Sequence, residues 1–585
     1  MKFLRNLLAS ILGGLIAMGI AFFMFFMLMA LLGQAEPVTV KNDSVLLFEL
    51  KDPVKDYVGG DKEDPFAGLF DEAMGLDEIL HAVEAAKSDD KIKGIVIKNV
   101  FAQAGLAQVQ AMRKALEDFK TSGKFVYAYS DYYPQKDYYL ASVADSVYLN
   151  PVGGMDFMGL ASEVLYFKDV QEKSGLKMEV IRHGKYKSAV EPFLANEMSA
   201  ANREQISELL HSVWGAMAAE IADSRNLDLT ALNKIADTLG ARSTKMAVQS
   251  GLIDGIPFYD EFETMIKEGM GKDSEEDLDY ISLAKYMQAA NTKKPSTKNR
   301  IAVIYAQGDI LFGEGNEKYI GQGLMTKALR KAREDEDIKA IVLRVNSPGG
   351  SALVSDIIWR EVELTKAEKP VVVSMGNVAA SGGYYIATGA HKIFAEPTTI
   401  TGSIGVFGTI PNGAELMGEI GINAEQVGTH ANSIDYSFFE PMGEGFRNRV
   451  QEGIEETYNT FLSRVSEGRG MTVDQVNAVA QGRVWSGVDA LENGLVDELG
   501  GLEDAIAAAA ELAEVDTYRI KNLPHFKTGL ERFMADLSGA KAEFMSDMVK
   551  QELGSESYEV LQQLKAMSQN AQTIQARMPF ALEIK

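Results

Sequence analysis

The most apolar stretch of the chain lies at its beginning. Leu7 to Leu32 contains no charged residue and follows Lys2 and Arg5. At a rise of about 1.5 Å per residue, this run is long enough to cross a hydrocarbon core of about 30 Å. We therefore predict that residues 1–35 form a single membrane-spanning helix, with a cytoplasmic N-terminus because basic residues precede it. Since Gly33-Gln34-Ala35 resembles a small-x-small cleavage site, a removed signal peptide is the alternative.

After this run, short apolar segments alternate with amphipathic ones. Asp43 to Leu50 and Lys91 to Lys98 have the length and apolar content of strands, and the second has the continuous pattern of a buried strand. Gln108 to Thr121 has the spacing of a helix with one apolar face. Strands that alternate with helices in this way are typical of an α/β domain whose parallel strands are buried by helices.

The same order of segments occurs twice. Ile92 corresponds to Ile338 and Pro151 to Pro397, each with an offset of 246 residues (338 − 92 and 397 − 151). A constant offset over separated motifs indicates a tandem duplication. We predict a membrane anchor, a first repeat, a linker, a second repeat and a helical tail, at residues 1–35, 41–271, 272–299, 300–513 and 514–585.

Composition narrows the possible functions. The 585 residues carry a net charge of −25, which argues against a nucleic-acid partner because phosphate binding needs clustered Lys and Arg. There is no cysteine, which excludes disulfides, thiolate metal sites and a cysteine nucleophile. The six histidines form no His-x-x-x-His pattern, and no Gly-Lys-Ser/Thr follows the glycine-rich Pro348–Ser351. We therefore expect neither a catalytic metal nor a cofactor.

The two repeats differ at positions that carry chemistry. The second repeat has paired glycines, Gly349 and Gly350, and a glycine-flanked serine, Ser403, whose counterpart in the first repeat is Phe157 (403 − 246). The first repeat has Lys187, and the corresponding region of the second contains no lysine. A serine hydroxyl needs a base, a lysine with a pKa lowered by burial can serve, and glycine N–H groups can bind an oxyanion. These features predict acyl transfer by a Ser/Lys pair divided between the repeats.

Four motifs in this order resemble the signal peptide peptidase A (protease IV) family in its long, duplicated form. They are Asn346-Ser347-Pro348-Gly349-Gly350, Ala380-Ser381-Gly382-Gly383-Tyr384-Tyr385, Thr401-Gly402-Ser403-Ile404-Gly405-Val406 and Tyr186-Lys187-Ser188-Ala189. The resemblance covers the anchor and both repeats. It implies the crotonase (Clp-protease-like) α/β fold of repeated ββα units.

The resemblance also implies a serine-type endopeptidase. Ser403 would be the nucleophile, Lys187 the general base, and backbone N–H groups near Gly349, Gly350 and Ile404 the oxyanion hole. The resemblance further implies a membrane-tethered homotetramer that degrades cleaved signal peptides and similar apolar peptides. The implied location is the inner membrane, with the bulk of the chain on the periplasmic side.

Two other side chains are alternatives for catalysis. Ser381 is also glycine-flanked and is the rival nucleophile, and His430 lies in the region aligned with the missing lysine. A crotonase-type acyl-CoA enzyme and a catalytically silent scaffold stay open as other functions. The external location argues against the first, and the retained Ser/Lys pair argues against the second. In the tail, Phe and Met residues at near-helical spacing either pack on the body or face a membrane or apolar peptides.

Overall fold

The computed structural model describes residues 2–32, 38–59, 74–98, 101–273, 275–290, 295–430, 432–526 and 575–578. Strands of the first half are β1 (Ser44–Phe48), β2 (Ile92–Ile97), β3 (Phe125–Tyr133), β4 (Ser146–Met155), β5 (Lys177–His183) and β6 (Tyr280–Ser282). Its helices are α1 (Lys2–Leu32), α2 (Leu76–Ser88), α3 (Leu106–Lys120), α4 (Gln135–Ala141), α5 (Lys168–Ser174), α6 (Glu191–Leu194), α7 (Ala200–Arg225), α8 (Leu229–Asp237), α9 (Thr244–Gln249), α10 (Tyr259–Gly269) and α11 (Leu283–Ala289), with a 3-10 turn at Ser188–Val190.

The second half contains a corresponding series of elements. Its strands are β7 (Arg300–Gln307), β8 (Asp309–Leu311), β9 (Tyr319–Gly321), β10 (Ile338–Ser347), β11 (Gly349–Ser351), β12 (Val371–Ala380), β13 (Lys392–Ala395), β14 (Ile400–Gly402), β15 (Val406–Asn412), β16 (Val484–Ser486), β17 (Glu498–Leu499), β18 (Arg519–Leu523) and β19 (Gln575–Arg577). Its helices are α12 (Gln322–Glu334), α13 (Ala352–Lys366), α14 (Gly382–Ala387), α15 (Ala414–Glu419), α16 (Glu444–Arg469), α17 (Val473–Val479), α18 (Gly487–Glu492) and α19 (Leu502–Leu512).

Each half is built around a parallel sheet with the same strand order. The first sheet has the order β4-β3-β2-β1-β6, with parallel pairing throughout. In the second sheet, the path β14-β12-β10-β7-β18 repeats that order, also in parallel. The helices α2 and α12, and likewise α3 and α13, begin 246 residues apart (322 − 76 and 352 − 106). The predicted tandem duplication is confirmed.

Central strands are apolar on both faces because helices cover both faces. On β10, Ile341 and Leu343 belong to the core that includes residues of α12 and α13. The alternate residues Ala340 and Val342 belong to the core that includes residues of α19. This burial on both faces explains why these segments read as continuous apolar runs rather than as alternating ones.

A smaller sheet joins the two halves. It has the order β5-β15-β19-β11-β8-β9, so a strand of the first half lies beside strands of the second. β5 pairs antiparallel with β15 over seven residues of each, from His183 opposite Val406 to Lys177 opposite Asn412. β5 ends shortly before Lys187, and β15 begins shortly after Ser403. The pairing of these strands therefore places the two predicted catalytic residues close together.

A buried ion pair also joins the halves. Arg344 on β10 donates from Nε to Oδ2 of Asp56 at 2.8 Å, and the two side chains are 1% and 2% exposed. Gln108 donates to the other carboxylate oxygen at 2.8 Å. Both oxygens of Asp56 therefore have a donor, so the carboxylate is satisfied despite its burial.

The apolar N-terminal segment forms the helix α1, and several of its side chains are not among those that the structure describes. Within the described part of the chain, no helix is long and apolar enough to cross a membrane. The membrane anchor stays a prediction.

The segments predicted as linker and tail contribute strands to all three sheets. In the predicted linker, 272–299, β6 pairs in parallel with β1, and α11 follows it directly. In the predicted tail, β18 pairs in parallel with β7, and β19 lies in the joining sheet. The Phe and Met pattern of the tail falls within 527–574, outside the described residues.

Candidate active site

Lys187 is fully buried where the two halves meet. The N–H of Tyr186 donates to the carbonyl of Gln481 at 2.8 Å, which fixes the backbone before the lysine. A Cβ on Gly482 would lie 2.6 Å from the Cβ of Lys187, and one on Gly405 would lie 3.2 Å from its Cδ. Since only glycine lets the neighbouring backbone approach this closely, these glycines form a tight slot for the lysine side chain.

Burial lowers the pKa of Lys187 well below the ordinary lysine value of 10.5. The cause is desolvation, which disfavours the charged ammonium inside the protein. A lysine in this condition has a larger neutral fraction near neutral pH than a solvated one. It can therefore accept a proton from a neighbouring hydroxyl.

Two serine hydroxyls lie within hydrogen-bonding distance of the lysine amine. The Nζ of Lys187 is 2.9 Å from the Oγ of Ser381 and 3.0 Å from the Oγ of Ser403. It also donates to the carbonyl oxygen of Ser403 at 3.0 Å. Both serines are fully buried. The structure thus places the predicted pair in contact, and it places the rival nucleophile at the same amine.

The two serines differ in their backbone setting. Ser381 lies between β12 and α14 with φ +55° and ψ −114°, a conformation that L-residues rarely adopt. Ser403 also has a positive φ, +51°, and its N–H donates to the carbonyl of Arg483 at 2.6 Å. Only Ser381 lies on a strained strand–turn–helix junction, the geometry that presents a nucleophilic hydroxyl in hydrolases of another fold.

The paired glycines lie beside Ser381. Gly349 and Gly350 have φ of +98° and +153°, and a Cβ on Gly349 would lie 2.7 Å from the backbone nitrogen of Gly382. The N–H of Gly349 donates to the Oγ of Ser347 at 3.2 Å. Ile404 is buried, and its carbonyl accepts the N–H of Gly482 at 2.8 Å.

Gly382, which sequence reasoning did not single out as a donor, lies close to the predicted oxyanion glycine Gly349. The signal that could have found it is its position directly after a glycine-flanked serine.

Residues of the chain itself lie between β11 and β15. β19 pairs antiparallel with β11, with Arg577 opposite Gly349 and Ala576 opposite Gly350. A Cβ on Gly349 would overlap the carbonyl oxygen of Ala576, and one on Gly382 would lie 2.9 Å from that oxygen. The Ala576 carbonyl therefore lies between the predicted oxyanion glycine and the residue that follows Ser381.

The remaining singled-out positions lie away from the amine. His430 is exposed, and its ring contacts the Oγ1 of Thr429 at 2.9 Å. Phe157, the first-half counterpart of Ser403, packs against the rings of Tyr138 and Trp214. The first half therefore has aromatic core packing where the second half has a hydroxyl.

Comparisons with known proteins agree with the duplicated fold. The chain matches Peptidase family S49 over residues 118–272 and 363–516, and Clp protease over residues 292–401. The two S49 matches begin 245 residues apart (363 − 118), close to the offset between the halves. The Clp protease match agrees with the predicted Clp-protease-like α/β fold.

Three relatives illustrate the extent of the similarity. The chain is 39% identical to Protease 4 of Haemophilus influenzae, over 74% of this chain and 72% of that protein. It is 37% identical to Protease 4 of Salmonella typhi, over 81% of this chain and 78% of that protein. A protein of Enterococcus faecium provisionally named signal peptide peptidase SppA is 38% identical, over 33% of this chain and 58% of that protein.

Proposed function

Because this chain belongs to peptidase family S49 and is a serine peptidase, we propose that it is a membrane-anchored endopeptidase with a Ser/Lys dyad. One observation carries this proposal. The buried amine of Lys187 lies 2.9 Å and 3.0 Å from the hydroxyls of Ser381 and Ser403. The peptidase assignment leaves the acyl-CoA enzyme and the silent scaffold without support.

The reaction needs one proton acceptor and one nucleophile. The serine Oγ attacks the carbonyl carbon of the scissile peptide while neutral Lys187 takes the hydroxyl proton. Backbone N–H groups near Gly349 and Gly350 stabilise the oxyanion of the tetrahedral intermediate. The C–N bond then breaks, and the Lys187 ammonium gives its proton to the leaving amine. A water deprotonated by Lys187 hydrolyses the ester and regenerates the serine.

We assign the nucleophile to Ser381, although the sequence predicts Ser403. Ser381 occupies the strained junction before α14, and a Cβ on Gly382 beside it would lie 2.9 Å from the carbonyl oxygen of Ala576. Ser403 contacts Lys187 through both its hydroxyl and its carbonyl. That double contact is suited to positioning the amine.

Covalent labelling decides between the two serines. Full-length protein is treated with a fluorophosphonate, and the adduct is located by intact mass and peptide mapping. We expect the adduct on Ser381, its loss in Ser381→Ala and Lys187→Ala, and its retention at a lower rate in Ser403→Ala. Circular dichroism checks the fold of each variant. An adduct on Ser403 would assign the nucleophile to that residue, as the sequence predicts. A folded wild type without any adduct would contradict the proposed dyad.

A second readout tests the positioning role of Ser403. Its hydroxyl accepts a hydrogen bond from the lysine amine, which favours the protonated form. Ser403→Ala should therefore move the ascending limb of the pH–rate profile to lower pH. A variant with reduced rate and an unchanged limb would contradict this role.

The proposal includes the predicted anchor in the inner membrane, with the bulk of the chain on the periplasmic side. The large apolar side chains of α1 support it, since Leu12, Phe23 and Met24 are 63%, 69% and 64% exposed. Flotation with lipid vesicles tests this part. Full-length protein should float and a chain starting at residue 36 should not.

The proposed substrates are cleaved signal peptides and similar apolar peptides, and the proposed assembly is a homotetramer. The name of the Enterococcus faecium relative supports the substrate class. The homotetramer is proposed from the resemblance to the long, duplicated form of the family. Light scattering in detergent measures the subunit number, and peptide cleavage followed by mass spectrometry measures the substrate range.

A further inference from the structure

Residues 575–578 lie in the active site as a bound peptide substrate would. They form an extended strand between β11 and β15, and the N–H of Met578 donates to the carbonyl of Pro348 at 2.6 Å. Addition of a strand to exposed sheet edges is a general mode of peptide recognition. Main-chain pairing of this kind supplies affinity, and side-chain pockets supply specificity.

The peptide bond between Ala576 and Arg577 lies beside the predicted oxyanion glycine Gly349. The carbonyl oxygen of Ala576 lies against Gly349 and Gly382, directly after Ser381. Ala576 therefore marks the residue before the scissile bond, and Arg577 marks the residue after it. Ala576 is fully buried within the core of the second half, so the site fits a small side chain at this position.

The side chain of Arg577 has a specific partner. Its Nη2 lies 3.0 Å and 3.1 Å from the two carboxylate oxygens of Asp309. The two side chains are only 28% and 29% exposed, so the pair is partly removed from solvent. Charge-assisted hydrogen bonds of this kind are stronger than neutral ones.

The position of Asp309 is fixed by the pairing of its strand with β11. It is the first residue of β8, and Ile310 beside it pairs with Gly350 on β11. The strand that would bind the substrate backbone is therefore joined directly to the strand that carries the carboxylate. This connection fixes the distance from Asp309 to the side chain after the scissile bond.

We propose that Asp309 is a specificity-determining residue, which selects peptides with a basic residue directly after the scissile bond and a small residue directly before it. The inference rests on the proposed function, because it takes the Ser381 side of the dyad as the cleavage point. A neutral residue after the bond leaves the Asp309 carboxylate without a cation, and an acidic residue is repelled by it.

Competition between peptides in one reaction tests the selection. The first peptide has the sequence of residues 573–579, Thr-Ile-Gln-Ala-Arg-Met-Pro, and two others carry Leu or Glu in place of Arg. Because all three compete with the same β19 strand of the full-length enzyme, the ratio of products is independent of its occupancy. We expect the Arg peptide to be cleaved about fivefold faster than the Leu peptide, and at least tenfold faster than the Glu peptide.

Variants of Asp309 separate recognition from structure. Asp309→Asn should reduce the Arg-to-Leu ratio to about one, and Asp309→Lys should favour Glu over Arg by about fivefold. Glu314→Lys is the matched control, because Glu314 is an exposed carboxylate that pairs with Lys327 in the loop after β8. Its ratios should equal those of the wild type.

Failure of the Asp309 selection and failure of the proposed peptidase function would give different experimental results. Equal cleavage of the Arg and Leu peptides by a wild type that takes the covalent probe overturns the selection and leaves the peptidase intact. Equal loss of all three peptides in Asp309→Asn also overturns it. Binding of the same peptides to Ser381→Ala, followed by fluorescence anisotropy, gives a measurement without turnover. Equal affinities there would overturn the selection even if the proposed dyad failed.

Discussion

Lys187 and Ser381 lie 194 residues apart in the chain, and their Nζ and Oγ atoms are 2.9 Å apart in the folded protein. The lysine belongs to the first half and the serine to the second. Pairing of β5 with β15 is the element that holds the two halves together at this point. The proposed dyad therefore lies at an interface between the two repeats.

The pH dependence of activity should report the buried lysine. Because burial lowers the pKa of Lys187 and catalysis needs the neutral amine, kcat/KM should rise with pH along a limb well below 10.5. Lys187→Arg should lower kcat/KM by roughly a thousandfold, because a guanidinium stays protonated and cannot accept the serine proton. Lys185→Arg, at an exposed neighbouring lysine, should keep the wild-type profile. A limb that persists in Lys187→Arg would assign the base elsewhere.

The close packing of glycines around Lys187 can be tested by a glycine-to-alanine substitution, which adds one methyl group. Gly482→Ala should abolish probe labelling, because the new Cβ would lie 2.6–2.7 Å from the backbone and Cβ of Lys187. Gly494→Ala is the control, since Gly494 has a similar φ (+76° against +81°) and its nearest atom is 3.9 Å away. The control should lose about 1 kcal/mol of stability and keep its labelling rate. Equal labelling of both variants would contradict the slot.

The buried ion pair between the halves should contribute strongly to stability. Asp56→Ala leaves Arg344 buried without its carboxylate and should lower the free energy of unfolding by about 3–5 kcal/mol. The exposed pair Lys114–Asp504 also joins the halves, and Lys114→Ala should cost less than about 1 kcal/mol. Denaturant titration measures both variants. A cost of Asp56→Ala as small as that of Lys114→Ala would show that the buried pair is dispensable.

Glu396 should make stability depend on pH. The residue is 5% exposed, and desolvation raises the pKa of its carboxyl from 4.5 to about 7. The folded protein then binds more protons than the unfolded chain between these values, so stability falls as pH rises through this window. The loss is about 3 kcal/mol for a shift of this size. Glu396→Gln should remove this decline in thermal unfolding measured from pH 4 to 8, whereas Glu511→Gln, at an exposed site, should retain it.

The duplicated architecture is readable from sequence because it repeats with a fixed offset. Ile92 and Ile338, chosen from the sequence alone, are the first residues of β2 and β10. The same offset places Phe157 opposite Ser403, and it places Lys187 opposite a region of the second half without a lysine. These inferences succeed because long buried strands and their helices have strong periodic signals.

Shorter elements have no such signal. β6 and β19 are three residues each, too short for a period of two to stand out, so their places in the sheets could not be predicted. The contact of Ser381 with Lys187 was also hidden, because a glycine-flanked serine after a strand is equally typical of close packing. Only the fold reveals that both serines reach one amine.

The order in which the chain is synthesised gives the divided dyad a further consequence. Lys187 leaves the ribosome 194 residues before Ser381, so a nascent chain for a long period holds the base without its partner. Domains fold as units during translation, N-terminal first. The proposed dyad therefore cannot form until the second repeat has emerged and folded against the first. A chain whose synthesis stops before residue 381 would lack both serines that contact the Lys187 amine.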